Sequence, residues 1–333
     1  MKKALPVTSP ATWPAVAAAL LAVYVFWGGT YLAMKFAVQT VPPFLMSGTR
    51  FCLAGAIVCA WDALRGAPAP GPVHLKNGAV VGAIMLLGGN GSLVWAEQFV
   101  PSGSAAMIYA MVPVWVALLA WLWQGGKRPG WLVFVGLALG LFGISLLIEK
   151  SGSGLPGASG LWPEYALLLV GSVFWAIGAL YSRVAELPPS PLTSIGVQML
   201  TGGLLCLSVG FMTGEWKDLH FASVSARSVL SMGYLVVFGS IIGYRAYIWL
   251  LKVADPTLVT TNNYVNPVVA VFLGAMLGGE RITPQIVAAS SIIIFSVVIV
   301  SMANRKRPAI VLKRSAPGKI CPSCTTDGSA ERR

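Results

Sequence analysis

Ten runs of about 20 mostly apolar residues follow one another along this 333-residue chain. A helix rises 1.5 Å per residue, so each run is long enough to cross a hydrocarbon layer of about 30 Å. They fall near 14–38, 43–64, 78–99, 102–123, 130–149, 163–184, 191–213, 228–251, 256–278 and 283–302. Only 10% of the residues are charged against 56% apolar, whereas a soluble domain carries about 25% charged residues. A water-soluble globule is excluded. Backbone inside lipid must satisfy its own hydrogen bonds, so the expected fold class is an all-α membrane protein with ten transmembrane helices.

Most connections are too short to hold a soluble catalytic domain. The formal charge of +12 is concentrated at the end of the chain, where eight Lys/Arg from Arg305 onward stand against Asp327 and Glu331. The basic balance therefore reads as membrane topology, and no polar face interleaves basic and aromatic residues as a nucleic-acid partner would require. One set of connections holds Lys2, Lys3, Arg65, Lys76, Lys127, Arg128, Arg183, Lys252 and the tail, and the other mainly Lys150, Lys217, Arg227 and Arg281. The excess of Lys/Arg on the first side predicts that both termini are cytoplasmic.

Several motifs are formal matches only. GSGLPG at 152–157 follows a membrane helix instead of a β-strand, the Asn-Gly-Ser sequon at Asn90 falls inside a span, and no GxxxxGK[ST] phosphate loop occurs. Catalytic residues and cofactors are accordingly expected to be none. Cys321 and Cys324 form a lone CPSC pair without the further ligands a zinc site needs, and read as thiols in a disordered tail.

The chain repeats itself. At an offset of 148, FWGGTYLAMK (26–35) lies over FWAIGALYSR (174–183); at an offset of 154, Gly89, Trp95 and Pro113 lie over Gly243, Trp249 and Pro267. Residues 1–150 and 151–303 read as two five-helix units, followed by a cytoplasmic tail at 304–333. Five is odd, so the second unit enters the membrane from the opposite side and the pair forms a 5+5 inverted repeat. That arrangement underlies alternating access, and it points to transport. Chance similarity between apolar helices is the competing explanation.

An ionisable group inside a span costs at least about 2.5 to 3.5 kcal/mol, which makes each one a functional candidate with a partner to be found. Arg50 and Glu97 lie at matched depths and are expected to pair, either as a static tie or as a gate with Glu97 coupling transport to protons. Arg245 has no acid at its own depth. It is expected either to face a water-filled cavity and hold an anionic solute group, or to snorkel to the headgroups.

TTNNYVNP (260–267) is the densest polar cluster within a span, with Asn262 and Asn266 on one helix face and Asn263 beside them. Pro267 frees the carbonyl of Asn263 and Pro113 that of Tyr109, paired breaks that mark either a binding site or a mere kink. GGNGS (88–92) and FGS (238–240) allow close backbone approach, with Asn90 and Tyr244 at equivalent repeat positions. Trp95 and Trp249 stack on a solute or fill the core. The candidate solute-binding set is thus Asn90, Trp95, Tyr109, Tyr244, Arg245, Trp249, Asn262, Asn263 and Asn266, and the candidate gating set is Arg50, Glu97, Pro113 and Pro267. Lys35, Arg183 and Glu280, at helix ends, are expected to set topology.

The stretches WGGTYLAMKFAV (27–38), PPFLMSGTRF (42–51), AEQFVPSGSAA (96–106), GSVFWAIGALYSR (171–183), VFGSIIGYRAY (237–247) and YVNPVVAVFLGAMLGGE (264–280) resemble the EamA-type drug/metabolite transporters over about residues 14–303. The resemblance implies an inner-membrane permease, commonly an exporter of amino acids or other small metabolites. It also implies a central cavity between the third, fourth, eighth and ninth helices. Arg245 departs from the neutral polar residue expected at its place, so the resemblance fixes no solute. A channel, a non-transporting membrane protein and, last, a lipid-modifying enzyme are the alternatives.

Overall fold

The computed structural model describes residues 12–123, 128–151, 161–254 and 256–305. The GSGLPG segment, Asp255 and the CPSC tail lie outside them. Among the described residues every regular element is helical. The long elements are α1 (Trp13–Ala37), α2 (Pro43–Leu64), α3 (Pro72–Ala96), α4 (Ser102–Trp123), α5 (Trp131–Ser151), α6 (Trp162–Val184), α7 (Pro191–Met212), α8 (Ala226–Val253), α9 (Asn262–Gly278) and α10 (Pro284–Arg305). Nine of these are long and apolar enough to cross a membrane, among the described residues. The tenth, α9, has 17 residues and follows a separate turn at Pro256–Val259.

Proline sets many of the starts. α2, α3, α7 and α10 begin at a proline, and α1 and α6 carry one at their second position, where the missing N–H costs nothing because the first turn has no intrahelical acceptor. This moves the start of α3 back to Pro72, before the expected 78, where the Gly71 N–H donates to His74 Nδ1 at 3.1 Å.

Glycines set the closest helix pair. α2 crosses α7 so tightly that a Cβ on Gly55 would stand 2.8 Å from the Gly196 carbonyl oxygen, and one on Gly203 would stand 3.0 Å from that of Gly48. Without a hydrophobic drive between helices in lipid, such small-residue seams let backbones approach and gain van der Waals contact. Carboxylates clamp both ends of the pair. Asp62, near the end of α2, accepts the Thr193 N–H at 3.0 Å and the Thr193 and Ser190 hydroxyls at the start of α7. Glu215, just beyond α7, accepts the Phe44 and Leu45 N–H groups at 3.2 and 2.9 Å at the start of α2. Each acid meets free N–H donors at a helix N-terminus, where the helix dipole also favours negative charge.

The other packings come in related sets. α1 packs on α8 and α9, while α6 packs on α3 and α4; α5 packs on α10. Gly136 and Gly143 of α5 lie against Val300 and Ile293 of α10, a second packing seam built on glycines. α1 and α9 run in the same direction, with Gly28 against Val269 and Leu32 against Gly278, whereas α4 runs against α9, with Gly103 against Val271.

Candidate functional site

Two helices lose their regular hydrogen-bond ladder in mid-course. α3 is π-helical over Ala83–Gly91 and α8 over Leu235–Ile242. A π-helical turn shifts backbone carbonyls out of the i→i+4 pattern, and such segments often sit at functional sites. Here an aromatic donor from a neighbouring helix answers a glycine carbonyl in each case. Tyr109 of α4 donates its hydroxyl to the Gly89 oxygen at 2.6 Å, and Trp27 of α1 donates its indole N–H to the Gly239 oxygen at 3.0 Å.

A band of polar groups runs between these two distortions. The Ser47 hydroxyl of α2 donates to Asn90 Oδ1 at 3.2 Å, and the Asn90 amide reaches Met34 Sδ of α1 at 3.6 Å. One turn along α2, Arg50 Nε donates to Ser240 Oγ of α8 at 3.3 Å. Tyr244 packs edge-on against Trp27 with ring centroids 5.2 Å apart. Arg50 is only 5% exposed, and its terminal NH1 has no hydrogen-bond partner.

The expected Arg50–Glu97 pair is not formed: among the described residues no ion pair joins them. Arg50 turns toward α8. Glu97 follows the last residue of α3 and is fully buried, with neither carboxylate oxygen hydrogen-bonded. Lys35 and Glu280, expected only to mark helix ends, meet near the same end of the bundle at 3.6 Å. Glu280 also accepts the Ser102 and Gly103 N–H groups at 2.7 and 3.3 Å, at the start of α4. Gly279, at φ +67°, is what turns Glu280 back: its left-handed conformation ends α9 and sends the Glu280 N–H to the Gly274 carbonyl at 3.0 Å.

Arg245 does not point into the band. It is exposed, continues the exposed stripe Val237, Phe238 and Ile242 of α8, and sits over Trp61 at 5.6 Å. Trp95 is 36% exposed. It packs on Phe99 and borders a separate groove of about 480 Å³ with Gln39, Gln98, Glu215 and Asp218. Trp249 packs into the apolar cluster of Val16, Leu20, Val23 and Leu250.

The proline breaks are displaced relative to each other. α4 is interrupted at Ala110–Met111 and resumes at Val112, so Pro113 occupies the first turn of a new segment. Pro267 lies inside an unbroken α9, and the interruption on that side comes earlier, at Thr260–Thr261. There the Thr261 hydroxyl pairs with Tyr24 of α1. Asn262 is buried, Asn263 is partly exposed, and the Asn266 side-chain oxygen is buried without a partner. The π-helical segments and the three carboxylate clamps were not expected from the sequence; GGNGS and FGS were their only local trace.

The sequence pattern of the EamA-like transporter family matches this chain twice, over residues 13–149 and 162–302. The chain belongs to that family. Among EamA relatives, it is 38% identical over 292 residues to the inner membrane transporter YedA of Escherichia coli K12, covering 87% of this chain and 92% of YedA. The transporter YoaV of Bacillus subtilis is 25% identical over 280 residues, covering 82% of this chain and 92% of its own. One solved crystal structure superposes with a TM-score of 0.60 over 89% of this chain and 99% of its own, at 20% identity, a likeness of fold alone.

Proposed function

We propose that this EamA protein is a secondary carrier that exports small organic solutes, amino acids or related metabolites, across the cytoplasmic membrane by alternating access. Arg50 is the group that holds a solute's carboxylate or similar anion. One observation carries this reading: a guanidinium is buried deep in the helix bundle with an unmatched donor, between the two π-helical segments. A buried donor left unpaired costs about 1 to 3 kcal/mol, and more when charged. A bidentate carboxylate removes that cost and gains two charge-assisted hydrogen bonds. Tyr244, and Asn90 through Ser47 one turn away on α2, supply neutral polar groups beside it.

Alternating access rests on ten membrane helices arranged as an inverted 5+5 repeat, with units 1–150 and 151–303 and both termini cytoplasmic. The packing supports this. The offset of 148 that aligns the halves carries Gly48 onto Gly196 and Gly55 onto Gly203, and the contacts run between Gly48 and Gly203 and between Gly55 and Gly196. Exchanging the halves maps that set of contacts onto itself, as a two-fold axis through the crossing would. The wider packing obeys the same exchange: α1 with α8 and α9 becomes α6 with α3 and α4. The double family match supports the duplication as well.

Glu97 is the proposed proton site. A carboxylate buried without any donor is expensive, and binding a proton removes the charge that makes it so. Lys35, Glu280 and Arg50 are the charged groups whose fields reach it. The test is solute counterflow in proteoliposomes, screening labelled anionic metabolites: exchange of labelled for unlabelled solute identifies a carrier, and a channel or non-transporting protein gives none.

A further inference from the structure

Arg245 stands in an apolar, outward-facing stripe of α8, yet its guanidinium does not stand alone. Trp61 of α2, 44% exposed, carries two arginines on its indole: Arg65 at 4.7 Å and Arg245 at 5.6 Å from ring centroids. Trp61 itself continues the exposed run Leu53 and Ile57 on α2, and Arg65 is the residue that terminates that helix. The cluster therefore sits on an exposed, largely apolar surface where α2 and α8 pack together, near the end of α2, the depth at which tryptophan and arginine meet lipid headgroups.

Neither arginine has an ion pair among the described residues. The nearest acid in sequence, Asp62, is buried and already accepts three hydrogen bonds from Ser190 and Thr193. Two guanidiniums over one ring, neither of them in an ion pair although the charge of Arg65 reaches the Asp62 carboxylate, keep N–H donors for an anion at this exposed surface. At that depth on an outward-facing surface, the available anion is a lipid phosphodiester, which a guanidinium binds through two parallel N–H···O bonds.

We propose that Arg65, Trp61 and Arg245 form a binding site for the headgroup of an anionic phospholipid on the exposed surface where α2 and α8 meet. The ligand chemistry is a phosphate oxyanion, and its source is the membrane. The site accounts for an arginine inside a span without assigning it to the solute, and it is independent of the transport reading.

The full chain, purified in mild detergent, is titrated with phosphatidylglycerol and with phosphatidylcholine under native mass spectrometry. Near a surface each basic residue favours an anionic lipid enough that losing two lowers affinity by about tenfold or more. Wild type is expected to retain phosphatidylglycerol in preference to phosphatidylcholine, Arg65→Gln/Arg245→Gln to lose that preference, and Arg65→Lys/Arg245→Lys to keep part of it. Arg245→Gln alone serves if the double variant does not purify as a single species. Equal phosphatidylglycerol binding by wild type and variant, or no preference in wild type, overturns the proposal. So does displacement of the lipid by micromolar inorganic phosphate, which would make this a site for the free anion.

Discussion

Lys35 Nζ lies 3.6 Å from Glu280 Oε1 and donates to the Val100 carbonyl at 2.8 Å, so one cation ties the end of α1 to the end of α9 and to the connection between α3 and α4. Glu280 in turn holds the first N–H groups of α4. Removing the carboxylate in Glu280→Ala leaves those donors and a half-buried ammonium unanswered. The expected cost is about 1 to 2 kcal/mol, the range for a lost helix cap, read as a lower unfolding midpoint in differential scanning fluorimetry. Glu280→Gln keeps one acceptor oxygen and should lose less. Equal losses for the two variants would show that capping contributes nothing.

The seam between α2 and α7 should be intolerant of even one methyl group. Gly55→Ala places a Cβ 2.8 Å from both the Gly196 oxygen and the Leu200 nitrogen, which are backbone atoms with no rotamer to yield. Overpacking of that kind typically costs about 1 to 3 kcal/mol. Gly233, on α8, has nothing within 4 Å of the same position, and there Gly→Ala should be neutral or slightly stabilising because alanine favours helix. Expression and thermal midpoint of the two single variants, measured side by side, check the contrast; similar midpoints would refute the backbone contact.

The helices themselves were legible because lipid leaves few choices: the apolar runs predict most helix ends to within a few residues, since helix is the only open-ended spanning structure. The site was less legible. Depth along a helix can be counted in sequence, but azimuth is set by neighbours. Arg50 and Glu97 were therefore placed at similar depth, although α2 turns Arg50 toward Ser240 while Glu97 sits past the last residue of α3. Arg245 shows the same gap: its seven-residue distance from Lys252 gives its level and says nothing of the side that faces outward. The π-helical stretches carry no residue signature beyond their glycines, because the groups that meet their carbonyls, Tyr109 and Trp27, come from other helices.

The two arginines should separate in transport. If Arg50 holds the anionic group, Arg50→Gln should lower counterflow of a transported anion by at least about tenfold, the loss of a single charge-assisted hydrogen bond, with folded protein retained. Arg50→Lys should restore part of it, since a lysine keeps the charge without the planar fork. Arg245→Gln, outside the polar band, should leave counterflow near wild type. The reverse ranking would move the anion site to α8.

Glu97 offers a separation of exchange from accumulation. Counterflow requires only that the carrier alternate while loaded, so a neutral amide at this position is compatible with it. Uphill accumulation requires a proton to bind and leave in each cycle, and an amide cannot supply that. Glu97→Gln should therefore exchange labelled for unlabelled solute at close to the wild-type rate while losing any accumulation driven by an imposed pH gradient. Both assays are made on the same proteoliposomes, which removes differences in reconstitution. The amide also introduces two donors where the carboxyl had no partner, so Glu97→Asp, which keeps an ionisable group on a shorter stem, should regain part of the gradient-driven uptake. If Glu97→Gln still accumulates solute against its gradient, the proton must travel by another route.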